Sequence, residues 1–346
     1  MAMQSGNAPV RGPEGPRRSY RDSMRNQRER DDVQLLLRVA RMYHQQQLTQ
    51  AQIAREVGVS RPTVSRLLSR AQQRGIVKVS IAHPLERILS IEQQLKDLLH
   101  LSAIRVTESS TTDSIDAIGS VAADLLVEIL RDGQVLAVGN GRSVAATARH
   151  MPEISLPHCT IVQSLGSLPG GLPAWGRDSP TLCHQLASSL GTASARMPIP
   201  LFVDDPALVQ PLLREEKVAT TFALAVRADV AIVGVAGIDA RDEGNVMAEY
   251  LTPQIEAAIK EGRAVGHILD HHFDAEGRHV VTPLSARTLA LSLDDLRSIP
   301  LVLGVASGSE KVEAIIAAVR GHILDALVTD EYTATNILER LRTTTG

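Results

Sequence analysis

Cysteine, lysine and long apolar runs are what this sequence is short of. Its two cysteines, Cys159 and Cys183, stand far apart and without metal-ligand spacing. A disulfide-stapled scaffold is excluded, and a reducing, cytoplasmic setting is expected. Five lysines occur, Lys78, Lys96, Lys217, Lys260 and Lys311, which leaves arginine to carry the basic charge. No apolar run approaches the ~20 residues of a membrane span, and no charged-then-apolar signal segment opens the chain, so no membrane partner is expected. Two nucleotide signatures are missing as well. A dinucleotide fingerprint needs a glycine at position 144, where Val144 stands, and the phosphate-loop pattern GxxxxGKS/T does not occur. No cofactor is expected.

What is present reads as an ordinary soluble chain, 44% hydrophobic and 22% charged. At 346 residues it exceeds the usual size of one hydrophobic core, so two domains and a tail are expected. The net charge of -3 hides an uneven distribution. Arg11, Arg17, Arg18, Arg21, Arg25, Arg28 and Arg30 are followed by Arg38, Arg41, Arg55, Arg61, Arg66, Arg70 and Arg74, while the later two thirds carry most of the acid. One end of the protein is thereby suited to phosphate and the other to something else.

Residues 1–30 combine Gly, Pro, Ser, Asn and Arg without apolar periodicity and read as a disordered basic tail. Residues 31–83 read as a winged helix-turn-helix. Val33, Leu36, Leu37 and Ala40 mark an amphipathic helix from Asp32 to about Gln47. In 48–75, LTQAQIAREVGVSRPTVSRLLSRAQQRG, Thr49 and Gln52 form a capping-box signature, Gly58 punctuates, Ser60 caps the next helix and Pro62 sits in its first turn. With Val64, Leu67 and Leu68 facing in, the polar Ser60, Arg61, Thr63, Ser65 and Arg66 point outward as candidate contacts to operator double-stranded DNA. Alternation over 76–81 suits a strand or wing. Residues 84–100 read as a linker helix with Ile88, Ile91, Leu95 and Leu98 spaced three, four, three, suited either to dimerisation or to packing on the next domain.

From 101 to 346, β-rich runs at 103–107, 134–138, 159–163, 229–235, 301–305 and 324–329 alternate with helical patterns at 115–131, 207–228 and 311–320. The fold class expected is α/β: an N-terminal all-α unit, then an open, mostly parallel sheet flanked by helices. Three strand-to-helix junctions are candidate sites. Gly139, Gly141 and Ser143 form a tight loop where backbone N–H groups can meet an anion. Lys311 follows Ser307 and Ser309 at the second junction, and Asp330 stands at the third, each open to the plainer reading of a capped helix. His267, Asp270, His271, His272, Asp274 and His279 cluster without a recognisable zinc pattern, and read as a polar helix leading to a turn at 275–277; no metal is expected.

In order and wording, the pieces GIVKVSI, VLAVGNGRS, IVQSLGS, PIPLFVDD, RADVAIVGVAG, AVGHILDHHFDAEG, LVLGVASGSEKVEAIIAAVRG and VTDEYTA resemble the SorC family of sugar-responsive bacterial regulators. The resemblance covers the chain from about residue 33. It implies a winged helix-turn-helix, an effector domain similar to phosphosugar isomerases and deaminases, homodimers or homotetramers, and a phosphorylated sugar or polyol as effector. It places Gly139, Gly141 and Ser143 in the anion loop, Gln163 and Lys311 at ligand-contacting positions, and Asp330 in a VTDE-like element. His267 stands where the family commonly has an acid, exchanging an obligate acceptor for a group that can donate. Residues 136–216 lack lysine, which argues against a covalent imine to an aldehyde sugar there. The expectation is a ligand-gated transcription regulator without catalysis. The alternative, a sugar-phosphate isomerase or deaminase with a DNA-binding appendage, needs a general base such as His267 or Asp330.

Overall fold

The computed structural model describes residues 20–77, 84–108, 114–168, 176–238 and 250–344. The chain divides into two compact units, Met1–Ala82 and His83–Gly346.

The first unit is helical. Its opening helix, α1, spans Tyr20–His44, beginning twelve residues before the expected Asp32. The stretch from 20 to 31 contains neither Gly nor Pro and carries four Arg, a residue that loses little rotamer freedom in a helix. The basic segment read as tail to residue 30 is therefore helical from Tyr20 onward; residues 1–19 lie outside the described residues. Helix α2 (Gln50–Val57) opens with the complete Thr49–Gln52 capping box and closes on Gly58 at φ 73°. Helix α3 (Arg61–Gln73) opens with the Ser60 side chain accepting from the N–H of Thr63. Leu36, Val39, Ile53, Val64, Leu67 and Ala71 form the small core. After α3 the chain turns at 74–77; the rest of the expected wing, 78–81, lies outside the described residues.

The second unit is built on a seven-stranded sheet, all of whose pairings are parallel. Its strands are β1 (Ala103–Thr107), β2 (Val135–Val138), β3 (Thr160–Gln163), β4 (Ala193–Ala195), β5 (Val230–Gly234), β9 (Leu301–Val305) and β10 (Ala326–Asp330), in the order β1-β10-β9-β5-β2-β3-β4. A separate antiparallel sheet, β6 (Ala236–Gly237), β7 (Gly266–Ile268) and β8 (His271–Phe273), follows the carboxyl end of β5. Successive strand residues face opposite sides, and both sides are covered, as all-parallel sheets require. Leu136, Val138, Ile161, Ile232, Leu303 and Val328 pack beneath α5 (Ser114–Ile129), α6 (Arg142–His150) and α7 (Ser179–Leu190). Ala137, Val162, Ala231, Val233, Val302 and Leu327 pack on the other side, with α4 (Pro84–Leu99), α9 (Glu216–Val226), α10 (Pro253–Glu261), α11 (Leu293–Ser298), α12 (Val312–Arg320) and α13 (Glu331–Thr344) contributing to that core.

Three expectations need correction. The 84–100 segment is no free linker: Ile88, Ile91 and Leu95 of α4 are buried in the sheet core, leaving Leu98 of the expected stripe exposed. The helical pattern over 207–228 is broken into a short α8 (Val209–Arg214) and α9, because Glu215 takes an extended ψ of 127°. Most consequential, the histidine cluster is a β-hairpin. Ile268 pairs with His271 across a two-residue turn. Leu269 and Asp270 both have positive φ, 48° and 62°, which is the backbone that matches a tight turn to the twist of its strands.

Candidate functional site

The exposed face of α3 follows from its caps. Ser60 and Thr63 share a 2.8 Å hydroxyl hydrogen bond at the helix start, so these two hydroxyls fix the first turn. Arg61, Ser65 and Arg66 are exposed beside it, opposite the buried Val64 and Leu67. Farther along, Arg70 and Arg74 each reach Oδ2 of Asp32 in α1, at 2.7 and 2.9 Å. The helix therefore presents exposed polar side chains near its amino end, while its carboxyl-end arginines brace the bundle.

In the second unit the candidate residues lie where parallel strands end, the edge at which ligands of open α/β sheets bind. After β2 the N–H of Gly139 donates to Ile232 O at 2.9 Å, and a Cβ here would approach Leu269 Cδ2 to 3.2 Å, so the loop lies directly on the β7–β8 turn. Gly141 is the N-cap of α6 at φ 104° and supplies no side-chain cap. The first turn of α6, with Ser143 buried in it, thus offers backbone N–H groups to an anion.

The second junction comes after β9. Ser307 and Lys311 are buried, and the short 3-10 turn Ser309–Lys311 leads into α12. Nζ of Lys311 is 4.0 Å from Glu310 Oε1. Across from it, Gly237 of β6 would place a Cβ 2.4 Å from Glu310 O, so this turn is pressed against the small sheet.

The hairpin supplies the third part. His267 Nδ1 lies 3.9 Å from Asp270 Oδ1, and the His267 and His272 rings have centroids 5.4 Å apart. Burial pushes Asp270 up to about 7, against the Asn140 side chain, whose hydrogen bond favours the ionised form. Burial likewise pushes His267 down to about 3, helped by His272, the Lys311 charge and His271. His271 and His272 are each pushed down to about 4, mainly by burial. Oδ2 of Asp270 and Nδ1 of His272 are buried without a hydrogen-bond partner. Among the described residues no three His, Cys, Asp or Glu side chains are gathered as metal ligands.

Gly139, Gly141, Ser143, His267 and Lys311 are thus brought to one edge of the sheet. Gln163 and Asp330 are not presented in the same way. Gln163 is fully buried, donating to Leu165 O at 3.2 Å and accepting from Met197 N–H at 2.7 Å. Both oxygens of Asp330 are engaged by Thr333, at 2.8 Å from its N–H and 3.0 Å from its hydroxyl. Asp330 caps α13 and is linked to the loop after β9 through Thr333. Asn140 was missed in the sequence, and Asp270 was read only as part of the histidine-rich cluster: that spacing is a visible signal, but the turn that aims Asp270 at Asn140 is not.

Comparison with known proteins identifies the family. The sugar-binding domain family matches residues 83–339, and a homeodomain-like family matches residues 30–79. The chain is 30% identical over 312 residues to the sorbitol operon regulator of Klebsiella pneumoniae, covering 89% of this chain and 99% of that one. The full-length crystal structure of that regulator superposes with a TM-score of 0.70 at 30% identity, covering 89% of this chain and 99% of that chain. The transcriptional regulator LsrR of Escherichia coli is 33% identical over 306 residues, covering 87% and 93% of the two chains. The erythritol catabolism regulatory protein EryD of Brucella abortus is 29% identical over 307 residues, covering 88% and 96%. These relatives are regulators, not isomerases or deaminases, and no helix among the described residues is long and apolar enough to cross a membrane. The chain belongs to the SorC family of sugar-binding transcriptional regulators, DNA-binding proteins that control carbohydrate catabolism.

Proposed function

We propose that this regulator is cytoplasmic, works as a homodimer or homotetramer, and is controlled by a phosphorylated sugar or polyol bound at the carboxyl edge of its parallel sheet. The observation that carries the reading is the uncapped amino end of α6 at Gly141, with Ser143 in its first turn and the buried Lys311 beyond the end of β9, on the other side of β5 from β2. Backbone N–H groups, a helix dipole and a fixed ammonium together favour a compact anion. The sorbitol operon and the erythritol catabolism for which two relatives are named support polyol or sugar esters as the class to test.

The DNA-reading unit is 31–83. Arg61 and Arg66 address guanine edges from the major groove, Ser65 reaches base or phosphate, and Ser60 and Thr63 set the angle of entry. The sensing unit is 101–346 together with α4, which packs into its core. An oligomer holds recognition helices at half-site spacing, and the effector acts by binding one arrangement more tightly than another. Gln163 and Asp330 serve as positioning residues in this scheme.

The test is a gel-shift titration of the protein's own upstream region, repeated with a panel of phosphorylated sugars and polyols and with the Arg61→Ala, Arg66→Ala variant. A shift that the variant loses and that one ester alters is the expected result. A shift no stronger than that of competitor DNA would sink the recognition-helix assignment; a shift that no ester alters would sink the effector class.

A further inference from the structure

We propose that the amino-terminal part of α1 is a second DNA contact, in which Arg21, Arg25 and Arg28 engage phosphates flanking the base pairs that α3 reads. The contact is independent of sequence and adds to that of the recognition helix. It does not depend on which effector the second unit binds.

This part of the helix lies outside the matched region of the chain. The homeodomain-like match begins at residue 30, whereas α1 begins at Tyr20. The full-length sorbitol operon regulator is covered to 99% by 89% of this chain. Residues 1–30 hold seven arginines against three acids, Glu14, Asp22 and Glu29, with no lysine or histidine, in a chain whose net charge is -3. The positive charge is thus concentrated just ahead of the DNA-reading helices.

The helix places part of that charge in line with α3. At about 100° per residue, Arg21, Arg25 and Arg28 fall in one row along α1, and the row continues through Asp32 to Val39. Val39 shares a core with Val64, Leu67 and Ala71 of α3, and Asp32 accepts from Arg70 and Arg74 at the far end of that helix. The row therefore starts on the side of α1 that packs on α3 and runs on past the carboxyl end of α3. Asp22, Glu29 and Asp31 fall about a quarter-turn to either side of it. The three arginine positions span about 10 Å of helix, enough for two or three phosphates of a strand that carries one charge per about 3.4 Å.

DNA fits both the charge and the place. A recognition helix lies in the major groove, and in homeodomains the arginines that precede the first helix reach the adjoining minor groove. A lipid surface does not fit: from Tyr20 to Asp31 the apolar residues are Tyr20 and Met24, too few for the apolar face of an interfacial helix.

The experiment is fluorescence anisotropy on the full-length protein with a labelled fragment of its own upstream region and a scrambled fragment of equal length, at salt from about 50 to about 300 mM. Wild type is compared with the triple variant Arg21→Gln, Arg25→Gln, Arg28→Gln and with the triple variant Arg21→Lys, Arg25→Lys, Arg28→Lys. Glutamine and lysine are good helix formers, and circular dichroism checks that helix content is kept; should the glutamine triple lose helix, the three single glutamine variants replace it. In the glutamine triple the slope of log affinity against log salt is expected to become shallower by about 2 to 3, or by about 1 in each single variant. Affinity near 0.1 M salt falls about tenfold or more for the triple, by the same factor on both fragments, while the lysine triple stays near wild type. The inference is overturned if the slope is unchanged, if the loss is confined to the upstream fragment, which would make these arginines readers of bases, or if the lysine triple binds as weakly as the glutamine triple. Wild type that shows no preference for the upstream fragment sinks the assignment of α3, and the slopes on either fragment still decide this one.

Discussion

The hydroxyl of Thr333 accepts the backbone N–H of Gly308 at 2.8 Å, joining the start of α13 to the loop that carries Lys311. The same hydroxyl donates to Asp330, so one side chain links two strand ends of the site. Thr333→Val keeps the shape and removes the link, leaving a part-buried N–H and one carboxylate oxygen without their partner. A loss of about 1–3 kcal/mol is expected, with Thr333→Ser near wild type. Denaturant unfolding of the three proteins checks it. A valine variant as stable as wild type would show that Gly308 finds its partner elsewhere.

Arginines on α3 are expected to separate into two groups. Arg66 stands exposed near the amino end, and Arg66→Ala is expected to weaken operator binding by about 1–3 kcal/mol and relax sequence preference. Arg70 is held by Asp32 at 2.7 Å, with the two side chains 49% and 31% exposed. Arg70→Ala is expected to change operator affinity less and to lower stability by no more than about 1 kcal/mol, since such pairs are solvent-screened. Binding isotherms on one operator fragment decide the order; equal losses would place Arg70 at the DNA as well.

Gly266 in β7 leaves no room for a side chain. A Cβ there would lie 2.4 Å from Ala314 Cβ and 2.7 Å from Ala236 O. Gly266→Ala is expected to cost about 1–3 kcal/mol through overpacking and to shift the hairpin against α12. The double variant with Ala314→Gly should recover part of the loss in a thermal melt. No recovery would locate the clash at the Ala236 carbonyl alone.

Stability should pass through a maximum near neutrality because the hairpin groups titrate in opposite senses. His267, His271 and His272 fall from an ordinary 6.5 to about 3, about 4 and about 4. Their contribution is full above 6.5 and is lost as pH falls, because the unfolded chain takes up protons that the folded one refuses. Asp270 rises from 3.8 to about 7, so its contribution is full below 3.8 and is lost as pH rises toward 7. Between 4 and 6.5 three imidazoles outweigh one carboxyl and stability climbs with pH; from 6.5 to about 7 the carboxyl acts alone and stability declines. Urea midpoints from about pH 4 to about pH 8 test the curve, and Asp270→Asn should keep the climb and lose the decline.

Much of this was legible because it is local. Thr49 with Gln52, Gly58, and Ser60 with Pro62 are caps and stops written within a few residues, and the structure realises each of them. The strands at Ala103–Thr107 and Leu301–Val305 match their apolar runs residue for residue. The histidine segment misled because HILDHHF carries no glycine to announce a turn; its hairpin requires Leu269 and Asp270 to take a conformation their own propensities disfavour. The 84–100 stripe was equally compatible with a partner helix and with the chain's own sheet, since an apolar face does not specify what will cover it.

The division follows the range of the interactions. Periodicity, capping and composition act between neighbours, and they were enough for the helix-turn-helix, the alternation of strand and helix, and the glycine loop before Ser143. The roles of Gln163, Asp330, Asp270 and Arg70 depend on partners at Met197, Thr333, Asn140 and Asp32. Whether a buried polar side chain is free for a ligand or already engaged is decided when distant strands and helices close around it, and only the folded chain brings those partners into contact.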